Sequence, residues 1–312
     1  MASILERVHS ASHRAIVHVI SATSRAFCPP DHRVTMFGLF KRFRRNALLK
    51  EPLPSSWQQA LSDALPFLKA LDSAERLGLE SHLKLLMKQK HWVGAGGFEL
   101  HDDIRLTIAI QGARMARALP LDAFERLSEF VVYGEDFTRP DDAFGGPIHG
   151  EAHPFGTVVL SWPACQEGLA YPCSGFNPIL HELAHVLDVS SGYFDGTPLL
   201  HRGEDYEPWA RVFQHYFDAL RQNPEQAFLD LYGAEDEAEF FAVATEAFFE
   251  LPDGLLDEAP DLYEELRRFY RLKPHIIPCS CTSHEPDEDD PDAEPDEVGH
   301  PLFGPGDPLD FL

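Results

Sequence analysis

Apolar residues recur with helical spacing over much of the chain, and two short stretches are rich in β-branched and aromatic residues instead. The helical spacing predicts helices at 71–90, 102–120, 178–190, about 206–221, about 236–250 and 259–272. The two short stretches, 130–137 and 156–163, are bounded by turn residues and predict strands. Asp72 followed by Glu75 predicts a capping-box-like start for the first helix. The pattern indicates a mostly helical α+β fold with a small β-sheet.

The middle of the chain, residues 52–272, contains no linker-like break and is predicted to form a single domain. Residues 1–50 hold nine Lys or Arg and two acids, and are interpreted as a basic arm in which Met36 resembles a natural start. Residues 273–312 are rich in proline and acids. They bury too little apolar surface to offset the entropy of ordering, so a disordered tail is expected.

The net charge and the cysteines indicate which partners and which cellular compartment to expect. The formal net charge of −25 argues against direct binding to nucleic acid or to anionic membranes, because both need a basic surface. No apolar run reaches the roughly 18 residues of a transmembrane helix. The cysteines have no regular spacing, which favours free thiols in a reducing compartment and a cytoplasmic location. Cys279 and Cys281, near His284, are interpreted as tail thiols rather than as a metal site.

The stretch "NPILHELAHVLD" at 177–188 carries the main candidate chemistry. Asn177 is a good N-cap and Pro178 suits the first helical position. On a helix, His181, His185 and Asp188 share one face, opposite an apolar face. Two imidazoles one turn apart are suited to binding one zinc ion.

Two neighbouring carboxylates have separate predicted roles at such a site. Glu182, at the edge of the histidine face, is placed to take a proton from a zinc-activated water. Asp188 is placed to orient a histidine ring without contacting the metal.

A third protein ligand has to come from another part of the chain. Asp188 and Ser191 stand where a metzincin would have Gly and a third His, which excludes that class. The predicted helix at about 236–250 offers acids instead. Four glutamates share one of its faces, and spacing alone does not choose among Glu235, Glu239, Glu246 and Glu250.

The motifs "HELAHVLD" and "EAEFFAVATEAFF", preceded by "WQQAL", "GFEL", "VVLSWP" and "SGFN", resemble the Mlc titration factor A family of bacterial zinc metallopeptidases. The resemblance covers about 52–272. It implies a gluzincin-like, zincin-type domain related to the catalytic domain of lethal factor toxin. It also implies zinc ligands His181, His185 and Glu239, the base Glu182, and a supporting role for Glu246. A tyrosine seven residues before the ligand glutamate, Tyr232, is implied as a donor to the oxyanion.

Two functions remain open at this point. One is a zinc peptidase acting on a peptide or protein substrate, with aminopeptidase-like activity included. The other is a non-catalytic, zinc-containing module that sequesters a transcriptional repressor, as the family name records. The strand "GTVVLSWP" is a candidate edge strand for pairing with an extended peptide. "HGEAH" at 149–153 is interpreted as a loop, because glycines and a proline surround it.

Overall fold

The computed structural model describes residues 36–135, 150–153 and 156–278 of the chain. It divides into two compact units, one ending at Pro52 and one beginning at Leu53. In the first unit the described part is the helix α1 (Met36–Lys50) and the two residues after it. Within the described residues, no helix is both long enough and apolar enough to cross a membrane. Most of the basic arm and most of the acidic tail, with Cys28, Cys279, Cys281 and His284, lie outside the described residues.

The second unit has nine described α-helices and four strands. In chain order they are α2 (Ser55–Ala64), α3 (Ser73–Gln89), β1 (His91–Ala95), α4 (Asp102–Ala116), β2 (Glu129–Tyr133), β3 (Gly150–His153), β4 (Thr157–Ser161), α5 (Trp162–Ala170), α6 (Pro178–Asp188), α7 (Tyr206–Gln222), α8 (Glu237–Glu250), α9 (Pro252–Glu258) and α10 (Pro260–Tyr270). The prediction of a mostly helical α+β fold with a small sheet is confirmed.

The sheet has the strand order β1-β2-β4-β3, with β1, β2 and β4 parallel and β3 antiparallel to β4. Its alternate residues Phe130, Val132, Val158 and Leu160 are fully buried, whereas their neighbours along β2 are partly exposed. This two-residue period shows that one face of the sheet covers the helical core. Helix α6 packs against β3 and β4, so the sheet supports the predicted metal helix directly.

Two interpretations of the sheet region were wrong. The strand "GTVVLSWP" corresponds to β4, which pairs on one side with β2 and on the other with β3, so it is not an edge strand. The stretch "HGEAH" is not simply a loop, because Gly150–His153 forms β3. Local turn residues favoured a loop there, but antiparallel pairing with β4 supplies the hydrogen bonds that a short strand cannot find by itself. Among the described residues β3 is therefore the end strand beside α6.

The start of α3 agrees with its sequence in part. The Asp72 side chain accepts hydrogen bonds from the amides of Ala74 and Glu75, both at 2.8 Å, as an N-cap does. The Glu75 carboxylate does not complete a capping box. It accepts a hydrogen bond from Nε of the buried Arg117 at 3.2 Å, because that guanidinium needs a charged partner away from water.

A second part of the core is aromatic and lies under α8. Trp209 of α7 stacks on Phe213 with ring centroids 3.9 Å apart, and Phe241 of α8 packs edge-on to Phe269 of α10. These rings are almost fully buried and hold α8 against α7 and α10. After α10, Arg117 Nη2 donates to the carbonyl of Lys273 at 2.7 Å, so the first residues of the predicted tail contact the core.

Gly78 of α3 lies against the backbone of Arg117, the residue that follows α4. A Cβ atom at this position would lie 1.8 Å from the carbonyl oxygen of Arg117, which is backbone and cannot rotate away. We expect Gly78→Ala to lower the free energy of unfolding by about 2 kcal/mol or more and the Tm by roughly 5 °C or more. Gly203→Ala is the control, because a Cβ atom there meets nothing within 4 Å. Equal Tm values for the two variants in thermal denaturation would contradict this account of the helix contact.

Candidate metal centre

Helix α6 is a core helix that carries polar groups into the interior. It begins at Pro178, after Asn177, whose side-chain oxygen accepts a hydrogen bond from the Leu180 amide at 3.2 Å. Its apolar residues are almost fully buried, and so are Glu182, His185 and Asp188. Burying a polar group costs free energy unless the group has a partner. The contacts of these three side chains therefore indicate the function that the helix serves.

Helix α8 brings acidic side chains to the same place. Asp236 caps it by accepting hydrogen bonds from the amides of Ala238 and Glu239, both at 2.9 Å. The capped first turn fixes Glu239 beside α6, and the rest of α8 packs along α6. Glu239, Glu246 and Glu250, spaced seven and four residues apart on α8, therefore face the histidine helix and its cap.

Three side chains converge with their donor atoms towards one point. His181 Nε2 lies 3.2 Å from His185 Nε2, and Glu239 Oε2 lies 2.9 Å from the first and 3.3 Å from the second. Ligands held about 2.0–2.1 Å from a tetrahedral zinc ion are separated from one another by roughly 3.3–3.4 Å. The spacing and the donor set of two imidazole nitrogens and one carboxylate oxygen therefore fit a zinc ion.

The structure gives different surroundings to the four glutamates that spacing left equivalent. Glu239 contacts both Nε2 atoms, whereas Glu246 Oε1 lies 2.7 Å from Nδ1 of His181. Glu250 forms a buried ion pair with Arg114 at 2.9 Å. Glu235 lies before α8 and is exposed.

Glu246 links the ring of His181 to the start of α6. Its second oxygen accepts a hydrogen bond from the Asn177 backbone amide at 2.5 Å. If Nδ1–H donates to Glu246, the lone pair of His181 lies on Nε2, the atom that faces Glu239. Burial opposes a charge on His181, but the carboxylates of Glu246 and Glu239 outweigh burial and raise its pKa well above the usual value. The two carboxylates therefore favour a positive charge at His181, which either a proton or a bound metal ion can supply.

Glu182 is buried next to the same cluster, and only 4% of its surface is exposed. Its Oε2 atom has no hydrogen-bond partner among the described residues. Burial raises its pKa to about 7, although His181 and His185 oppose the rise. A carboxylate with this environment is suited to accepting and releasing a proton.

The contacts of Asp188 differ from those of a simple partner of a histidine ring. Its Oδ2 accepts a hydrogen bond from the Gly196 amide at 3.0 Å and so fixes the loop that follows α6. Its Oδ1 and the Nδ1 of His185 are both buried, and neither has a hydrogen-bond partner within the described part of the chain. The predicted role in orienting a histidine stays a prediction.

Two aromatic side chains lie near the histidines, one beside each ring. The ring of Tyr232 lies 5.7 Å from that of His181, and the ring of Phe194 lies 6.0 Å from that of His185. Burial, together with Glu239 and other acids, raises the pKa of Tyr232, so its phenol stays protonated and able to donate. Sequence reasoning missed Phe194. Its only signal was an aromatic pair, "YF", in a polar loop shortly after the histidine motif.

Comparison with known proteins identifies the family. Residues 40–271 match the model of the glucose-regulated metallo-peptidase M90 family. The uncharacterized protein slr2042 of Synechocystis sp. is 35% identical over 75% of this chain and 90% of its own length. Proteins named Mlc titration factor A are 32% identical in Pectobacterium atrosepticum and 31% identical in Serratia proteamaculans. Each alignment covers 70% of this chain, with 86% and 88% of those proteins. The predicted resemblance is confirmed, and the chain belongs to the glucose-regulated metallo-peptidase M90 family.

Proposed function

We propose that this protein is a zinc-dependent peptidase whose metal is held by His181, His185 and Glu239. The observation that carries the proposal is the convergence of two Nε2 atoms and one carboxylate oxygen, with the buried carboxylate of Glu182 next to them. Membership of a metallo-peptidase family supports the same assignment. When bound, zinc acts as a Lewis acid that polarises a substrate carbonyl and increases the acidity of a water molecule.

The proposed reaction is hydrolysis of a peptide bond. Glu182 takes a proton from the water whose oxygen attacks the carbonyl carbon, and the Tyr232 hydroxyl donates a hydrogen bond to the oxygen that becomes negative. The C–N bond then breaks, and Glu182 passes its proton to the leaving nitrogen. Glu246 holds the His181 ring during these steps, because its carboxylate lies 2.7 Å from Nδ1.

A second candidate function is supported by the names of the relatives. Proteins 31% and 32% identical to this chain are named Mlc titration factor A, which refers to a protein called Mlc. By analogy, this chain would bind a transcriptional repressor, with or without peptidase activity. A proton-accepting carboxylate has no task in a purely structural zinc site, where protein ligands fill all four positions. The environment of Glu182 therefore favours catalysis.

Glu182→Gln tests the catalytic proposal. Removing the proton acceptor while keeping the side-chain shape is expected to lower kcat on peptide and aminoacyl reporters by roughly 100-fold or more. The zinc content, measured by elemental analysis, is expected to stay at one ion per chain because this substitution removes none of the three proposed ligands. Zinc-loaded wild-type protein that hydrolyses no peptide across a broad panel would favour the repressor-binding function instead.

Glu239→Gln tests the identity of the third ligand. An amide oxygen binds zinc more weakly than a carboxylate, so the zinc affinity is expected to fall by more than about 100-fold in competition with a chelator. Glu237→Gln is the matched control, since Glu237 lies in the same turn of α8 and its side chain is exposed. A similar zinc affinity for both variants would show that Glu239 is not a ligand.

A further inference from the structure

The loop after α6 places an apolar ring beside one of the two histidines of the candidate metal centre. Phe194 is 38% exposed, although its ring lies 6.0 Å from the buried ring of His185. An exposed aromatic ring beside a polar cluster offers an apolar contact to a ligand bound at that cluster. A substrate whose carbonyl group binds at the proposed metal site would place a neighbouring side chain within reach of this ring.

The loop is anchored on α6 and α7 at Gly196, two residues after Phe194. The Gly196 amide donates to Asp188 Oδ2 at 3.0 Å, and its carbonyl accepts a hydrogen bond from Trp209 Nε1 at 3.1 Å. Both partners are almost completely buried, since Asp188 has no exposed surface and Trp209 is 1% exposed. Hydrogen bonds of this kind are protected from competition with water.

The loop also fits closely against the helix that carries Glu239. Gly196 has a φ of +70°, and a Cβ atom there would lie 2.2 Å from the carbonyl oxygen of Glu237. Only glycine permits both the left-handed backbone and this approach. Because Gly196 touches α6, α7 and α8, the position of Phe194 relative to His185 is set by the same helices that set the ligand atoms.

We propose that Phe194 forms the wall of a substrate subsite that selects a bulky apolar side chain next to the scissile bond. The inference rests on the proposed peptidase function and specifies its substrate class: peptides with an aromatic or branched aliphatic residue at the position that passes over His185. Tyr232, whose ring centroid lies 5.7 Å from that of His181, is also partly exposed. The Phe194 side chain has no group that can bind a metal or transfer a proton, so its proposed role is specificity and not catalysis.

Peptide binding tests the subsite without relying on turnover. The protein used is the zinc-loaded full chain carrying Glu182→Gln, alone and combined with Phe194→Ala, Phe194→Leu or Tyr193→Ala. Tyr193→Ala is the matched control, because it removes the neighbouring aromatic ring, which is 73% exposed. The probes are peptides with Phe, Leu, Ala or Glu placed in turn at the residues on both sides of one peptide bond, and calorimetry gives each Kd.

The expected result is a preference for Phe or Leu over Ala of about tenfold or more at one of the varied positions. Phe194→Ala should reduce this preference to within about twofold, while Phe194→Leu and Tyr193→Ala should retain most of it. Zinc affinity, measured with a chelator in the same variants, should not change. In the chain with Glu182 intact, kcat/KM for the same peptides should follow the same order.

Several results would contradict the proposed subsite. They are equal binding of Phe and Ala peptides, a preference that survives Phe194→Ala, and loss of zinc in Phe194→Ala, which would give the ring a purely structural role. Absence of any peptide binding would overturn it as well. A preference that depends on Phe194, with no hydrolysis by the chain with Glu182 intact, would support the subsite and refute the peptidase function.

Discussion

The candidate metal centre depends on a buried polar connection between α6 and α8. Glu246 of α8 accepts hydrogen bonds from Nδ1 of His181 and from the Asn177 amide, at 2.7 Å and 2.5 Å. One turn further on, Glu250 contacts the Asn177 side chain and pairs with Arg114 of α4. Asn177 thus caps the histidine helix and also forms hydrogen bonds with two side chains of the glutamate helix. A shift of one helix against the other would break several buried hydrogen bonds together.

This connection explains how the site tolerates so many buried carboxylates. Arg114 partly compensates for Glu250, although burial still raises the pKa of that carboxyl. Burial raises the pKa of Glu239 as well, but hydrogen bonds to His181 and His185 lower it overall, so this carboxyl stays ionised. Glu182 Oε2 has no hydrogen-bond partner among the described residues, and burial outweighs the effect of His181 and His185, so its pKa lies at about 7. The pKa values of neighbouring glutamates therefore differ because their partners differ. The ionised Glu239 suits the proposed role of metal ligand, and the raised pKa of Glu182 suits the proposed role of base.

Local sequence signals predicted much of the fold and part of the centre. The caps Asp72 and Asn177 were readable because N-capping depends on residues within one turn. Strand β3 and the inner position of β4 could not be predicted in this way. Strand pairing joins segments whose order along the chain does not reveal their order in the sheet. The choice of Glu239 as the third ligand came from family resemblance. Residues three or four positions apart share one helix face, so spacing alone does not distinguish Glu239 from the other glutamates. The Arg114–Glu250 pair joins residues 136 positions apart, a contact that no local pattern records.

The central claim is that α6 and α8 together form a zinc site through the Nε2 atoms of both histidines and the carboxylate of Glu239. A crystal structure of the zinc-loaded protein, with anomalous scattering recorded at the zinc edge, tests this most directly. The account predicts one zinc ion about 2.0–2.1 Å from His181 Nε2, His185 Nε2 and a Glu239 oxygen, with Glu246 still bonded to Nδ1 of His181. Zinc bound by Glu246 or by an Nδ1 atom, or an anomalous peak away from α6, would contradict it.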